Sequence, residues 1–527
     1  MEKGYVSLVL HTHIPYVRHP DVIDALEERW LFEAINECYI PLINVYDGLI
    51  KDKIEFKITM SITPPLMTML EDEYLNRRYM EYLNSCIELS EKEMIRTKNN
   101  KELNKLAVFY NERFSNLLSV YKKYDYRLMN AFKKFHKLGY LEIITCSATH
   151  GLLPLLMINK ETVKAQIEEA VKSYTDCIGH GPKGIWLPEC AYTYSLESIL
   201  KEYGISYFIS ENKAILNASP KPKYGTYAPI ALPNGISTFG RDMESSKQVW
   251  SSINGYPGDY NYREFYRDIG YEAPMEYIAP YINKSGIRID TGIKYYRVTG
   301  KTDKKEYYDR EEALKKVREH AMHFAHGRNK QIADSSKQMD VPPIITCPYD
   351  AELYGHWWFE GPEFIGQFIR MASEEWTNFE LTTPLEYLKK YPRVQCCMPC
   401  PSSWGENGDY SVWLNSSNDW IYRELHRCAK DMIRLTNTYK EPTMIEKRAL
   451  NQAGRELMLA ESSDWPFIIK NDTTVEYAVR RVNTHIEKFD KLYEQIVKNC
   501  IDTKWLAYTE NIDNIFPNMD YKIYRSL

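Results

Sequence analysis

The 527-residue sequence lacks long apolar runs, clusters of basic residues and low-complexity tracts. No window approaches the 18 consecutive apolar residues that a membrane span requires, so we expect no membrane partner. The formal net charge is -5 and no Lys/Arg run is present, which argues against a nucleic-acid partner. The first stretch, MEKGYVSLVLHTH, has a short apolar part and no small-residue cleavage site, which is not typical of a signal peptide.

Cysteine usage also restricts the class of protein. The 11 cysteines are scattered and odd in number, and they do not form the regular spacing of a disulfide framework. A lone CxxC pair, Cys397 and Cys400, lacks two further ligands nearby for a structural zinc site. We therefore expect reduced thiols in a cytoplasmic protein.

Aromatic residues, in contrast, are abundant, with 42 Tyr, 11 Trp and 17 Phe. Large apolar rings suit stacking on the partly apolar faces of sugar rings, but they also fill ordinary cores. Composition leaves both uses open.

Seven short apolar runs predict buried strands that alternate with helical stretches. They cover residues 5–10, 54–62, 141–146, 184–189, 205–209, 236–240 and 341–347. Continuous apolar strands are typical of parallel sheets covered by helices. The alternation predicts an α/β fold, either a βα barrel or a doubly wound sheet.

Three segments depart from this alternation. Residues 71–138 are charged and helical in pattern, which predicts a helical insertion. Residues 242–292 contain NGYPGDYNYREFY and predict a long loop, and such loops inside compact domains are usually functional or disordered. After about residue 405 the pattern is all-helical, with apolar residues at three- and four-residue spacing.

Ionisable residues follow most of the predicted strands. Because the carboxyl ends of parallel barrel strands meet at one rim, we expect a functional site there. The residues concerned are His11, His13, His150, Glu189, Glu211, Arg241, Asp242, Asp350, Glu352 and His356.

Two chemistries compete for this rim. His11 and His13 point to the same side of a strand, as metal-binding histidines do in hydrolases. Glu189 and Asp350 could instead form the carboxyl pair of a glycosidase. The aromatic residues after Asp350, including Trp357, favour a sugar groove.

Five motifs, in order along the chain, resemble those of glycoside hydrolase family 57. They are HTHIPYVRHP, ATHGLLPLL, GIWLPECAY, CPYDAELYGHWWFEGPEF and SSWGENGDYSVWLNSSNDWIYRELH. The combination is most similar to the α-glucan branching enzymes of that family and to closely similar α-amylases. The resemblance implies an incomplete (β/α)7 barrel in residues 1–400, with the insertion at 71–138 and an active-site loop at 242–292. It also implies an all-helical C-terminal domain, residues 401–527, that contributes to the substrate groove.

The resemblance implies retaining chemistry on an α-glucan polysaccharide, amylose or glycogen-like, without a metal or other cofactor. Glu189 would be the nucleophile and Asp350 the general acid/base, about 5–5.5 Å apart. A neighbouring carboxylate would keep Asp350 protonated. We expect substrate contacts from His11, His13, His150, Trp186, Arg263, Gly292, His356, Trp357, Trp404, Trp413 and Asp464.

Branching requires that a sugar 6-hydroxyl, and not water, intercepts the glycosyl-enzyme. The loop could close over the intermediate through Tyr256, Tyr260 or Tyr262. Where relatives often carry a histidine, this chain has Lys213, which motivates a non-catalytic glucan-binding alternative. An α-amylase-like hydrolase and a metal-dependent amidohydrolase or deacetylase also stay open, and we expect a monomer.

Overall fold

The structure is a computed structural model that describes residues 4–251 and 255–526. Ten strands are present in these ranges. They are β1 (Gly4–Thr12), β2 (Ile58–Ile62), β3 (Leu141–Ile144), β4 (Gly184–Trp186), β5 (Tyr207–Ser210), β6 (Ile230–Ala231), β7 (Ser237–Gly240), β8 (Ile344–Asp350), β9 (Phe379–Leu381) and β10 (Gln395–Cys396).

The strands form two five-stranded sheets, in which all pairs but β6–β7 are parallel. One sheet has the order β3-β2-β1-β8, with β9 also pairing with β1, and the other has the order β10-β6-β7-β5-β4. Isolated parallel bridges join the sheets at Thr145–Ile185 and at Arg241–Thr346. The protein therefore has a mixed α/β fold with mainly parallel sheets.

Strands β1 and β2 are buried along their whole length, which explains their mostly apolar sequences. Every residue of β1 and of β2 is buried. The register places His11 of β1 beside Ser61 of β2 on one side and beside Asp350 of β8 on the other. Polar residues from neighbouring strands thus meet at the carboxyl edge of the sheet.

Helices cover both sheets and are joined to the strands and to one another by irregular segments. They are α1 (Glu28–Ala34), α2 (Ile40–Lys51), α3 (Pro64–Glu71), α4 (Glu73–Arg96), α5 (Lys101–Lys123), α6 (Leu128–Lys137), α7 (Leu153–Leu156), α8 (Lys160–Ile178), α9 (Leu196–Glu202), α10 (Asn212–Leu216), α11 (Met243–Trp250), α12 (Ile269–Glu272), α13 (Met275–Ile278), α14 (Arg310–Ser335), α15 (Gly361–Ala372), α16 (Pro384–Lys390), α17 (Asp419–Thr438), α18 (Met444–Ala460), α19 (Asp464–Lys470), α20 (Val475–Val497) and α21 (Thr503–Ile512). A π-helical turn, Ile35–Tyr39, connects α1 to α2, and six short 3-10 turns complete the set.

The three unusual segments have distinct structures. Residues 71–138 contain α4, α5 and α6, and the side chains of Asp72 and Asn100 cap the first two of these helices. The segment 242–292 contains α11, α12 and α13 joined by irregular chain, and its residues 252–254 lie outside the described residues. Residues 401–527 contribute α17 to α21. The division of the chain at residue 400 stays a prediction.

No helix within the described ranges is both long enough and apolar enough to cross a bilayer.

Candidate active site

Glu189 occupies a tight turn at the carboxyl end of β4. The 3-10 turn Pro188–Cys190 follows the strand, and Glu189 has φ 60° and ψ 23° within it. Cys190 and His150 also have positive φ, of 50° and 59°. A left-handed conformation at a non-glycine residue costs of order 1–3 kcal/mol, and such strain concentrates at functional sites. The backbone strain therefore marks Glu189 as a functional candidate, independently of any motif.

Two donors from the C-terminal part of the chain hold the Glu189 carboxylate. The indole Nε1–H of Trp404 donates to Oε2 at 2.6 Å, and the Ser463 hydroxyl donates to Oε1 at 3.3 Å. The backbone N–H of Trp404 also donates to the Glu189 carbonyl at 2.9 Å. These contacts fix the side chain and favour its ionised form.

Asp350 ends β8 and lines the same cavity as Glu189, which we call the central cavity. This cavity has a volume of about 410 Å³, and its wall also includes His11, His13, His150 and Asp464. Among the described residues, none donates a hydrogen bond to the Asp350 carboxylate. The two carboxyl groups thus share one space but have different surroundings.

Burial raises the pKa of both carboxyl groups, because it penalises their charged forms. For Glu189 the hydrogen bond from Trp404 opposes this rise, and the charge of Asp350 adds to it. For Asp350 the largest charged neighbour is Glu352, which raises the pKa further. Burial outweighs the other influences, so the pKa is raised to about 8 for Glu189 and to about 7 for Asp350. Among the described residues the side-chain donors act on Glu189 alone, and they favour its charged form.

Three histidines and Asp464 form one wall of the central cavity. The His13 ring lies 4.0 Å from the His150 ring at 14°, and His13 Nε2 lies 3.0 Å from Asp464 Oδ2. Burial lowers the pKa of His11 and His150 well below the ordinary value, so both rings are neutral at pH 7. Burial opposes ionisation of Asp464, but the charge and hydrogen bond of His13 outweigh it and lower its pKa to about 2. The wall therefore offers both hydrogen-bond donors and hydrogen-bond acceptors.

The same wall has the ligand types of a metal site. Ligand atoms of His13, His150 and Asp464 all lie within 4.8 Å of one another. In the structure His13 pairs directly with Asp464, and His150 Nδ1 lies 2.8 Å from the Ser463 hydroxyl. The metal-dependent alternative therefore keeps a geometric basis and needs a direct test.

Predicted aromatic residues divide between the cavity and the core. Trp357 is 55% exposed at the cavity and stacks on Phe265 at 4.5 Å. Trp186 is buried behind the wall, stacked on His11 at 4.6 Å. Trp413 does not line the cavity, because it packs in a core cluster with Leu152 and Ala191.

Two further predicted binding residues, besides Trp186 and Trp413, lie outside the central cavity. Arg263 is buried in an ion pair with Glu37 at 3.1 Å, and Glu37 in turn binds His356 Nδ1 at 2.6 Å. Arg263 thus reaches the cavity only through His356, which lines it. Gly292 donates its N–H to Asp268 at 3.0 Å and has φ +81°. A glycine is favoured at this position because the backbone adopts a left-handed turn conformation.

The loop tyrosines are also held away from the cavity. The hydroxyl of Tyr256 lies 2.7 Å from His323 and that of Tyr262 lies 2.8 Å from His320, both on α14. Tyr260 is exposed and donates to Glu306 at 2.7 Å. A closing role for these residues stays a prediction, and it would require the loop to leave α14.

Lys213 likewise lies outside the cavity lining. Its Nζ donates to the carbonyl of Asn407 at 2.9 Å, and its side chain lies against Gly408. It therefore contacts the loop that carries Trp404 and stays at a distance from the carboxyl pair.

Several cavity residues escaped the sequence interpretation. Trp30, Glu33, Trp250 and Phe467 line the cavity from α1, α11 and α19. They belong to no recognised motif. The apolar pattern of a helix predicts which of its faces is buried, but it does not predict which residues line a cavity. Ser463 could have been found, since it directly precedes the predicted Asp464.

Two family models and several known proteins match this chain. Residues 7–333 match the model of glycosyl hydrolase family 57, and residues 424–524 match that of the C-terminal region of 1,4-alpha-glucan branching enzyme. A 1,4-alpha-glucan branching enzyme of Thermococcus kodakarensis is 33% identical over 98% of this chain and 77% of that protein. The crystal structure of the Thermococcus kodakaraensis family 57 branching enzyme matches with TM-score 0.90 and 32% identity, covering 99% and 96% of the two chains. The alpha-amylase AmyC of Thermotoga maritima matches with TM-score 0.94 and 44% identity over 100% of both chains.

Proposed function

The chain belongs to glycoside hydrolase family 57, and on that premise we propose that it is a retaining α-1,4-glucan branching enzyme. Its reaction would cleave an α-1,4 linkage and transfer the freed chain to a 6-hydroxyl of a glycogen-like polymer. We infer that β1, β2, β3, β4, β5, β7 and β8 form an incomplete (β/α)7 barrel, a proposal supported by the two bridges that join the sheets.

In the first step Glu189 attacks the anomeric carbon, while Asp350 donates its proton to the departing 4-oxygen. In the second step Asp350, now a carboxylate, removes the proton from an incoming 6-hydroxyl, which displaces Glu189. The proton balance needs no further reactant. The donors to Glu189 support this assignment, because they stabilise the carboxylate before the attack.

The histidine wall would hold the hydroxyls of the sugar whose linkage is cleaved. His13 and Asp464 form a polar pair at 3.0 Å, next to the neutral His150. The exposed Trp357 and the partly exposed Trp250 at the cavity offer stacking faces for neighbouring glucose units. An α-glucan chain fits this combination of polar wall and aromatic rim.

One observation carries the proposal. Both side-chain donors to Glu189 come from residues 401–527, and Ser463 lies in the part that matches the branching-enzyme C-terminal model. A helical C-terminal domain would thus complete the site of the barrel, which also supports the proposed division at residue 400. All 11 cysteines are free thiols, which supports a cytoplasmic enzyme, and we propose that it acts as a monomer.

The test is to incubate the protein with amylose and to measure new α-1,6 linkages by proton NMR, together with new reducing ends. Branching predicts that α-1,6 linkages rise well above the reducing ends. Glu189→Gln and Asp350→Asn should abolish both signals. Full turnover in Glu189→Gln would remove that residue from the chemistry.

A second candidate, an α-amylase-like hydrolase, is favoured by the 44% identity to the Thermotoga maritima enzyme. The same assay separates the two, since hydrolysis predicts reducing ends without new branches. The metal-dependent alternative is tested by elemental analysis of the protein and by its turnover before and after treatment with a chelator. A stoichiometric metal whose removal abolishes turnover would overturn the glycosidase assignment.

A further inference from the structure

The π-helical turn Ile35–Tyr39 lies between α1 and α2, directly beside the segment that follows Asp350. A π-helical turn widens the helix locally and is frequent at functional sites. Here it replaces what would otherwise be one continuous helix from Glu28 to Lys51. Its side chains therefore point where an unbroken helix would not place them.

Three consecutive residues of this turn bind the segment that follows the predicted acid. The Glu37 carboxylate accepts a hydrogen bond from His356 Nδ1 at 2.6 Å. The Cys38 thiol donates to the Ala351 carbonyl at 3.0 Å, and the Tyr39 hydroxyl donates to Glu352 Oε1 at 2.5 Å. The turn thus holds residues 351, 352 and 356 at once.

The two backbones approach so closely that one position accepts only glycine. Gly355 has φ +124°, and a Cβ there would lie 1.8 Å from the Glu37 carbonyl oxygen. Such contact fixes the turn against the 351–356 segment without room for adjustment.

Two members of this contact line the cavity, His356 and Glu352, and Glu352 is the one with a carboxyl group. Besides the Tyr39 hydroxyl, the backbone N–H of His13 donates to the same oxygen at 3.2 Å. Donors to a carboxylate favour its charged form. Burial acts in the opposite sense and outweighs them, so the pKa of Glu352 is raised to about 7 with both donors in place, and the loss of a donor would raise it further.

Resting on the proposed function, we propose that Glu352 is a positioning residue whose negative charge keeps the proton on Asp350, and that Tyr39 keeps Glu352 charged. Two residues apart, both carboxyl groups face one cavity, and like charges at short range resist joint ionisation. Arg241 and His13 act on Asp350 in the opposite sense. The groups that face the two carboxyls are Glu189, His13, Arg241, Tyr39, Cys38 and His356.

The consequence is visible at the alkaline side of the pH profile. Activity requires protonated Asp350 and is lost as pH rises through its pKa. If Glu352 loses its charge, Asp350 ionises at lower pH, and the alkaline limb of kcat/KM moves to lower pH.

The experiment measures kcat and KM on amylose from pH 4 to pH 9 for the wild type, Tyr39→Phe and Glu352→Gln. Glu352→Gln should move the alkaline limb down by about one pH unit or more, and Tyr39→Phe should move it less, in the same direction. Tyr46→Phe is the matched control, because it also removes a buried hydroxyl. The one hydrogen-bond partner of that hydroxyl among the described residues is Met60 Sδ, at 3.7 Å. The alkaline limb of this control should match the wild type.

An alkaline limb that stays in place in both folded variants overturns the inference. A raised KM with an unchanged limb does so too, since it makes Glu352 a substrate contact. Tyr39→Phe keeps the ring and its packing, so it decides the question if Glu352→Gln does not fold. The variants Glu189→Gln and Asp350→Asn separate this inference from the proposed function. If both are inactive, the proposed function stands even when the pH profiles overturn the inference. Full turnover in both would show that the proposed function itself is wrong.

Discussion

Replacement of Trp404 by phenylalanine isolates the hydrogen bond that defines the nucleophile. In the structure the Trp404 indole donates to Glu189 Oε2 at 2.6 Å. Phenylalanine keeps an aromatic ring at this position but has no donor. The Glu189 side chain is only 14% exposed, so water replaces the lost donor poorly.

A hydrogen bond to a charged group contributes about 1.5–3 kcal/mol. If this energy stabilises the carboxylate that attacks the sugar, its loss corresponds to a decrease of about 10- to 150-fold in kcat/KM. The pH profile should change as well. The donor lowers the pKa of Glu189, so its removal raises that pKa, and activity on the acid side is lost at a higher pH than in the wild type.

The assay is kcat/KM on amylose as a function of pH, with Trp413→Phe as the control. Trp413 is also a tryptophan and is close to Trp404 in the sequence. It is buried in a core cluster, however, and its Nε1 has no hydrogen-bond partner among the described residues. The control should lose stability and little activity. If Trp404→Phe stays within twofold of Trp413→Phe and the acid limb does not move, the hydrogen bond does not tune the nucleophile.

Two smaller predictions concern the groups around the pair. Ser463→Ala removes the weaker donor to Glu189, at 3.3 Å. A hydrogen bond worth about 0.5–1.5 kcal/mol corresponds to a decrease in kcat of about 2- to 10-fold, measured by steady-state kinetics on amylose. An unchanged kcat would show that this contact is dispensable. Arg263→Met removes the buried ion pair with Glu37 but leaves the hydrogen bond from His356, and should cost about 1.5–3 kcal/mol in urea unfolding at pH 7. Against burial, the hydrogen bond from His356 and the charge of Arg263 lower the pKa of Glu37 to about 2, so the stability from the pair is present above pH 4.5 and is lost as pH falls toward 2. A wild-type unfolding curve for the variant at pH 7 would contradict this account.

The sequence was sufficient to predict the main strands, because buried parallel strands are apolar without interruption. All seven predicted runs overlap strands of the structure, whereas β6, β9 and β10 were missed. These strands have only two or three residues, too few for any periodic pattern. The predicted helical insertion contains three helices, since its pattern extends over many turns.

The candidate site was predictable where a residue follows a strand directly. Glu189, Asp350 and His13 line one cavity for this reason. Contributions from helices were not predictable, because Trp30 reaches the cavity through the packing of α1. The positive φ of Glu189 and the π-helical turn also have no sequence signal, since neither contains a glycine or proline at the unusual position.

The central claim is a covalent intermediate on Glu189 within the cavity that Asp350 shares. The direct measurement uses Asp350→Asn with an α-maltosyl fluoride, whose leaving group needs no acid. The first step should then proceed while the second stalls, because no base activates the acceptor. Mass spectrometry of the digested protein should find the maltosyl group on the peptide that contains Glu189. A maltosyl group on a different residue, or release of the β-anomer with no labelled peptide, would contradict the account.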